Sequence, residues 1–576
     1  MMKNNTEIKS YAGFTIGPIY GVLSSARKTR ELWFASYFFS WFMEKTIEQL
    51  SKNNKIDFLS PFVKGPFEPN NSITGKYHDR FILQSYLDKG SLFKEIQEAS
   101  NNTLDFFVDL IDNLAKQLRA KYINGANENA VRVILNSYIQ RNFVVFDAND
   151  FESSFESSFE SSKESQFSEK PKIVKYINKY LDSMEENRFF DTGILNKTCF
   201  ICRALPANIK ANVWVKPGGT KGEIERKPCL TEKELCPLCF VKHYAHRSNE
   251  VVAKISKSNF KYPTILDISA VELLTEEVRK KFYKEYEKDY EFEDIEKAVR
   301  ETYSKEEADS LLKKAYPKYF AILQADGDNI SKVLDDIDIV SFSNSLFDFA
   351  NKAEEIIRSY KGYPVYIGGD DILAFVPIAF EESGNIKTII NLAIELSEKY
   401  KKLVAQNALK TTLSIGINIT FYKFPLSLAL KNAGKQLFEE AKKDDKNALA
   451  LLLTKHSGYQ IGVKFNFGSS DIKNFSELLR KTLAGDVDFP HSLHYNLSRF
   501  KTVIANIPDE DRLKAFFENN FNEPEHSKYT SGINSVMNYF KEIMLHVPRE
   551  HREQRLDCVE EILNKLAFIK FLRGEK

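Results

Sequence analysis

The feature that most constrains this chain is Ile367-Gly368-Gly369-Asp370-Asp371-Ile372, set between the β-patterned arms YPVY and LAFVP. A Gly-Gly pair between such arms reads as a tight hairpin turn that accepts positive φ, and the missing side chains let a phosphate approach the backbone. Two adjacent carboxylates just past the turn repel each other unless a cation joins them. Upstream, YFAILQADGD (319–328) reads as a buried strand ending in a second acid pair, Asp326 and Asp328. From residue 319 the order is strand, helix, strand, strand, helix, strand, helix, strand. It contains the split βαβ arrangement of a ferredoxin-like palm. In such a fold the two acid-bearing strands are neighbours, so four aspartates should converge. Convergent carboxylates holding two divalent cations suit phosphoryl or nucleotidyl transfer. Magnesium, which prefers a few carboxylates plus substrate phosphates, fits that ligand supply. A DD turn that merely faces solvent is the bland alternative, and the second acid pair on the preceding strand weighs against it.

Composition removes several other classes. At 576 residues the chain is long enough for about three to five domains. Its 81 basic side chains balance 80 acidic ones, which excludes a polybasic nucleic-acid binder. The longest strongly apolar run, Leu32–Met43, has 12 residues including two serines, against the roughly 20 that cross a bilayer. The N-terminus has no apolar core followed by a small-residue cleavage site. A cytoplasmic protein with no membrane partner is expected. Gly218-Gly219-Thr220-Lys221-Gly222 lacks the spacing of a phosphate loop, so a P-loop ATPase is unexpected.

Four of the six cysteines form two CxxC pairs, Cys199/Cys202 and Cys236/Cys239, separated by 33 residues. Two such knuckles supply four soft thiolates in tetrahedral reach, the pattern of a zinc ribbon. With four protein ligands there is no open position for substrate, so the Zn2+ should be structural. Cys229, His243 and His246 lie nearby, as candidates to substitute for a ligand or to contact one, and are read as non-ligands, and Cys558 as a packing residue. The surrounding stretch, 197–261, is locally basic, with 13 Lys and Arg against five Glu and no Asp.

These signals divide the chain into an opening α/β unit over 1–120 and a segment over 121–261. That segment holds a disordered Ser/Glu-rich insertion (147–170, with FESS three times in a row) and the zinc-binding region (197–247). A charged helical layer comes next over 262–315, then the GGDD palm over 316–461, and a mostly helical tail over 462–576 with no distinctive polar cluster. The fold class is α+β.

Together these motifs carry a specific resemblance. The GGDD segment resembles the catalytic palm of nucleotidyl cyclases, and the chain resembles the large subunit of type III CRISPR effector complexes of the III-B (Cmr) kind. The matching residues are Ile16-Gly17-Pro18, Ala26-Arg27-Lys28-Thr29-Arg30-Glu31-Leu32-Trp33, Ser36-Tyr37, the two CxxC pairs, Ala325-Asp326-Gly327-Asp328, Gly368-Gly369-Asp370-Asp371, Ser414-Ile415-Gly416-Ile417, Pro425-Leu426 and Ala441-Lys442. The resemblance implies two ferredoxin-like palms, a zinc-ribbon insertion and a C-terminal helical domain. It implies an ATP-using nucleotidyltransferase that makes cyclic oligoadenylate, or joins AMP to S-adenosylmethionine as co-substrate, when its complex captures target RNA in antiviral defence. Its partners would be the other III-B subunits, the guide RNA and the target RNA. By the same carry-over Asp326, Asp370 and Asp371 would hold Mg2+ or Mn2+ and be catalytic, with Asp328 assisting. Gly327, Asp328, Gly368, Gly369 and Lys442 would bind the nucleotide.

The first palm is expected to be degenerate, since Gly13-Phe14-Thr15-Ile16-Gly17 carries no acid where the second palm has Asp326. Its Arg27, Lys28 and Arg30 either face phosphate or sit on an exposed helix. Many relatives begin with an HD nuclease domain, whereas here His78-Asp79 is the only His-Asp dipeptide and is read as no nuclease. The rival to the enzyme is a catalytically inert scaffold of the same complex. A dead palm has no physical reason to keep an acid cluster together.

Overall fold

The computed structural model describes residues 7–61, 72, 74–123, 127–149, 170–186, 197–215, 229–245, 262–282, 290–333, 339–405, 411–490, 492–521 and 524–574. The Ser/Glu-rich insertion falls outside these apart from its ends, as does His246. The chain divides into two units: residues 1–262 with 330–350 and 365–369, and residues 263–329, 351–364 and 370–576.

In the first unit, β1 (Ser10–Gly17), α1 (Thr29–Leu50), β2 (Ile56–Ser60), β3 (Arg80–Ser85), α2 (Lys89–Gln117) and β4 (Gln140–Asp147) form a four-stranded sheet in the order β2-β3-β1-β4. That is the ferredoxin-like order, with β1 antiparallel to both neighbours. Every residue of β1 is buried, and Phe14 stacks on Phe81 of β3 at 5.0 Å. The apolar run of α1 is buried on nearly all sides, which identifies it as a core helix. Its Phe38 meets Phe107 of α2 with ring centroids 4.4 Å apart. The fourth strand lies beyond residue 120, so the palm reaches further than the sequence suggested. β4 is half-buried along its length and therefore shows no clean alternation to read. A further helix, α3 (Lys170–Glu186), packs Ile177 and Leu181 into the cluster that includes Tyr11 and Ile82. The ribbon comes next, as the hairpin β5 (Ile209–Val215) and β6 (Cys229–Leu235) and the helix α4 (Pro237–Tyr244).

The second unit opens with short helices between 265 and 313, around Leu266, Leu273, Ile295 and Val299. The second palm is built from β7 (Tyr319–Gly327), α5 (Ile339–Ser359), β8 (Tyr363–Gly368), β9 (Asp371–Val376), α6 (Ile389–Leu403), β10 (Leu413–Phe421), α7 (Leu426–Lys435), β11 (Ala448–Thr454) and β12 (Gln460–Asn466). Its sheet runs β12-β11-β10-β7-β9-β8, which repeats the ferredoxin-like order and appends two strands beyond β10. The last of these crosses the boundary expected at 461. After it come helices including α8 (Asp471–Ala484), α9 (Thr530–Met544) and α10 (Arg552–Leu572). These hold a polar cluster that the sequence did not disclose: the Lys565 ammonium, 1 % exposed, meets Asp471 at 2.6 Å, and the Tyr539 hydroxyl donates to the same carboxylate. Cys558 is half-buried on α10. Among the described residues no helix is long and apolar enough to cross a membrane.

Candidate active site and metal centres

The pairing of β7 with β9 brings the acids together. Ala325 lies opposite Ile372, so one step on, Asp326 and Asp371 face each other across the ladder. The turn between β8 and β9 is Gly369-Asp370, and Gly369 has φ +66°, a conformation that favours glycine. The Gly327 amide then donates to the Asp370 carboxylate at 3.3 Å. One carboxylate oxygen from each of Asp326, Asp370 and Asp371 lies within 4.8 Å of the others. Three hard oxygen donors converging from two adjoining strand ends fit a Mg2+ or Mn2+ centre that leaves coordination positions for substrate oxygens.

The fourth expected member stands apart. Asp328 is fully buried, and its Oδ2 accepts from Thr412 Oγ1 (2.7 Å), Ser414 Oγ (2.8 Å) and the Asn447 amide (3.1 Å). It is turned into the protein, whereas a nucleotide ligand would need it accessible, so the converging group has three acids rather than four. Alternation would put Asp326 and Asp328, two positions apart, on one face, but the strand closes at Gly327 and the chain turns inward there, with Asp328 N donating to Thr412 O at 2.7 Å.

Lys442 does reach the acids. Its ammonium pairs with Asp326, donates to Gly327 O at 3.0 Å and stands 3.8 Å from Asp328 Oδ1. Burial and the neighbouring Lys446 pull its pKa down to about 8, while the carboxylates it faces favour the charged form, so it is an ammonium at neutral pH. Burial, then the negative charge of Asp370, raise Tyr400 well above its ordinary value and keep it a neutral phenol, with its hydroxyl against Thr411 Oγ1 at 3.0 Å. Gly368 is the last residue of β8 and is buried.

In the first unit all four cysteines of the CxxC pairs gather with their Sγ atoms within 4.8 Å of one another, and Cys202 Sγ lies 3.9 Å from Cys236 Sγ. Cys236 also caps α4, its Sγ accepting from Cys239 N at 3.4 Å. Four thiolates in this arrangement fit a closed Zn2+ site. His243 stands outside it: its Nδ1 meets the buried Glu31 carboxylate of α1 at 2.7 Å. Lys242 Nζ donates to Val22 O (3.1 Å) and Ser25 Oγ (2.7 Å). Arg27, one candidate for a phosphate, instead donates to Phe200 O (2.9 Å) and Ile201 O (3.0 Å) and lies over the Phe200 ring. The ribbon and the start of α1 are thus fastened by charged groups more than 170 residues apart in sequence. His78 lies beside the turn, 3.4 Å from the Tyr366 hydroxyl.

Two family models match the chain: the Cas10/Cmr2 second palm domain over residues 319–450, and the CRISPR-associated protein Cmr2 N-terminal domain over residues 11–122. A curated relative, CRISPR system Cmr subunit Cmr2 of Pyrococcus furiosus, is 26% identical over a match covering 40% of this chain and 33% of the relative. The chain therefore spans about a third of the length of that relative. Among solved structures, the type III-B Cmr-beta complex in its apo state aligns with a TM-score of 0.57 at 14% identity, covering 99% of this chain and 82% of that one. The same complex bound to cognate target RNA aligns at 0.60 and 14% identity, over 99% and 84%. At such identity the likeness is one of fold.

Proposed function

We propose that this chain, which belongs to the Cas10/Cmr2 family of type III-B CRISPR large subunits, is a metal-dependent adenylyl transferase acting on ATP within an RNA-guided complex. The observation that carries the reading is the three-acid group of Asp326, Asp370 and Asp371. A scaffold would gain nothing from concentrating negative charge at one strand end, where the carboxylates repel each other.

Divalent cations held by those three carboxylates would lower the pKa of an attacking ribose hydroxyl and neutralise a triphosphate and its pyrophosphate leaving group. The protein's own groups do the rest. The Gly327 amide fixes the Asp370 carboxylate, and Gly369 leaves the turn without a side chain where a phosphate would approach. Lys442 supplies a positive charge beside Asp326 that a triphosphate can draw on. The product class is set by the substrate: joining ATP units gives oligoadenylate, cyclic on ring closure, and transfer to another acceptor such as S-adenosylmethionine would use the same acids. The partners are the remaining III-B subunits, a guide RNA and the target RNA. The four-thiolate site takes Zn2+ in a structural role.

The test is to assemble the chain with its partner subunits and guide, then supply labelled ATP, Mg2+ or Mn2+ and cognate target RNA. Adenylate product made by the parent and lost in Asp326→Asn supports the reading. Absence of product from the parent, or product undiminished in the variant, leaves the scaffold.

A further inference from the structure

The buried Asp328 has a geometry that the proposed reaction does not use. One of its oxygens is fully engaged: Oδ2 takes three hydrogen bonds, from Thr412, Ser414 and Asn447. The other, Oδ1, is buried and accepts none among the described residues. A buried carboxylate oxygen without a donor is costly and calls for an explanation. The nearest cation among the described residues is Lys442 Nζ at 3.8 Å, an ion-pair distance but too long for a hydrogen bond. Lys442 is meanwhile spent on Asp326 and on Gly327 O, on the side where a divalent cation must bind.

We propose that Asp328 is a positioning residue that gives the Lys442 ammonium a second station, so that a divalent cation arriving at Asp326 displaces the lysine onto Asp328 Oδ1 rather than competing with it. An ammonium and a divalent cation on one carboxylate repel each other strongly in a half-buried site. A shift of the ammonium by about 1 Å would bring it to hydrogen-bond distance of Oδ1. The move needs no backbone change, because both ends of the station are anchored. Asp328 N and O are tied to Thr412 O and Thr411 Oγ1, and Lys446 Nζ, just past Lys442, is tied to Asn329 Oδ1 at 3.1 Å. Asp328 thus acts through Lys442 and touches neither metal nor nucleotide. The inference rests on the metal-site reading and deepens it.

Mn2+ binding to the full chain, read by the electron paramagnetic resonance signal of the free ion, tests it without relying on turnover. Asp328→Asn keeps an oxygen for the three donors and removes the counter-charge. Lys442→Met removes the competitor. Asp328→Asn should weaken Mn2+ binding on the order of tenfold, the scale of couplings between groups in contact. Lys442→Met should tighten it. The double variant should bind as Lys442→Met does, because Asp328 matters only while the lysine is present. An equal loss on adding Asp328→Asn to Lys442→Met would overturn the proposal and make Asp328 a direct or merely structural contributor. So would weaker binding in Lys442→Met itself. Near-ultraviolet circular dichroism identifies a misfolded single variant, in which case the direction of the Mn2+ affinity change in the other single variant decides. If the parent binds no Mn2+ at the acids, the metal-site reading fails first and the proposal with it, an outcome distinct from Mn2+ binding that ignores both substitutions.

Discussion

Gly416 of β10 lies directly beneath the amide of Leu437: a Cβ at that position would stand 2.2 Å from Leu437 N and 2.8 Å from Ala433 O. Both contacts are backbone, which cannot swing aside as a side-chain tip can. The close approach seats α7 and the π-helical turn Gln436–Ala441 that continues it, and Lys442 is the next residue. A π-turn carries an extra residue per turn and so re-aims the residue after it. In this chain the re-aimed group is the ammonium beside Asp326.

Gly416→Ala should therefore lift the helix from the sheet and move Lys442 off the acids. Overpacking of this kind costs about 1–3 kcal/mol. The expected result is a lower melting temperature together with reduced adenylate production. Gly458→Ala, where a Cβ would meet nothing within 4 Å, is the control for loss of a glycine, although its positive φ of 89° makes it somewhat unfavourable too. Loss of stability in Gly416→Ala with the Mn2+ affinity and turnover of the parent would separate this packing from the site.

The legible parts of the sequence are those carried by short-range pattern. The acids, the Gly-Gly turn and the CxxC spacing are local patterns, and three of the four acids and all four CxxC cysteines fall where the fold brings them into clusters. Asp328 is misread from sequence because adjacency to Asp326 says nothing of which way a residue turns once the strand has ended. The partners that turn it inward, Thr412, Ser414 and Asn447, are 84 to 119 positions away. Ser414-Ile415-Gly416-Ile417 is recognisable as a motif without a role, and its serine proves to hold Asp328 while its glycine admits the helix. The fastening of ribbon to α1 is equally invisible, since a lone Glu, His or Lys carries no sign of a partner on the far side of the chain.

The fastening couples the cysteines to the first palm. A closed four-thiolate site contributes binding energy directly to folding. Cys199→Ser should lose the Zn2+, measured as metal per chain, and destabilise the ribbon. Because Lys242 and His243 on α4 are held by Ser25 and Glu31, hydrogen exchange should rise in residues 22–33 as well. Exchange confined to 197–245 would mean that the two parts are independent. Full stability with no bound metal in the parent protein would refute the zinc assignment.

The Glu31–His243 pair sets an acid limb of stability. Burial pushes the Glu31 carboxyl up, but the His243 hydrogen bond and charge, the Arg27 amide and the Lys242 ammonium outweigh it and bring the pKa down to about 2 from 4.5. Since the native value lies below the unfolded one, the unfolded chain takes up the proton first as pH falls. The contribution is complete above pH 4.5 and drains away as pH falls towards 2. A shift of this size corresponds to about 3 kcal/mol at a site this deeply buried. Removing one partner of a buried pair also costs about 3–5 kcal/mol at neutral pH, because the other is left unpaired. Glu31→Gln should thus be markedly less stable than the parent in urea at pH 7. The gap should shrink as pH is lowered below 4.5, since only the parent has this proton to gain. Taking the difference between two proteins that share the same cysteines cancels the acid loss of zinc. A gap constant across that range would show that Glu31 does not carry its charge in the folded protein.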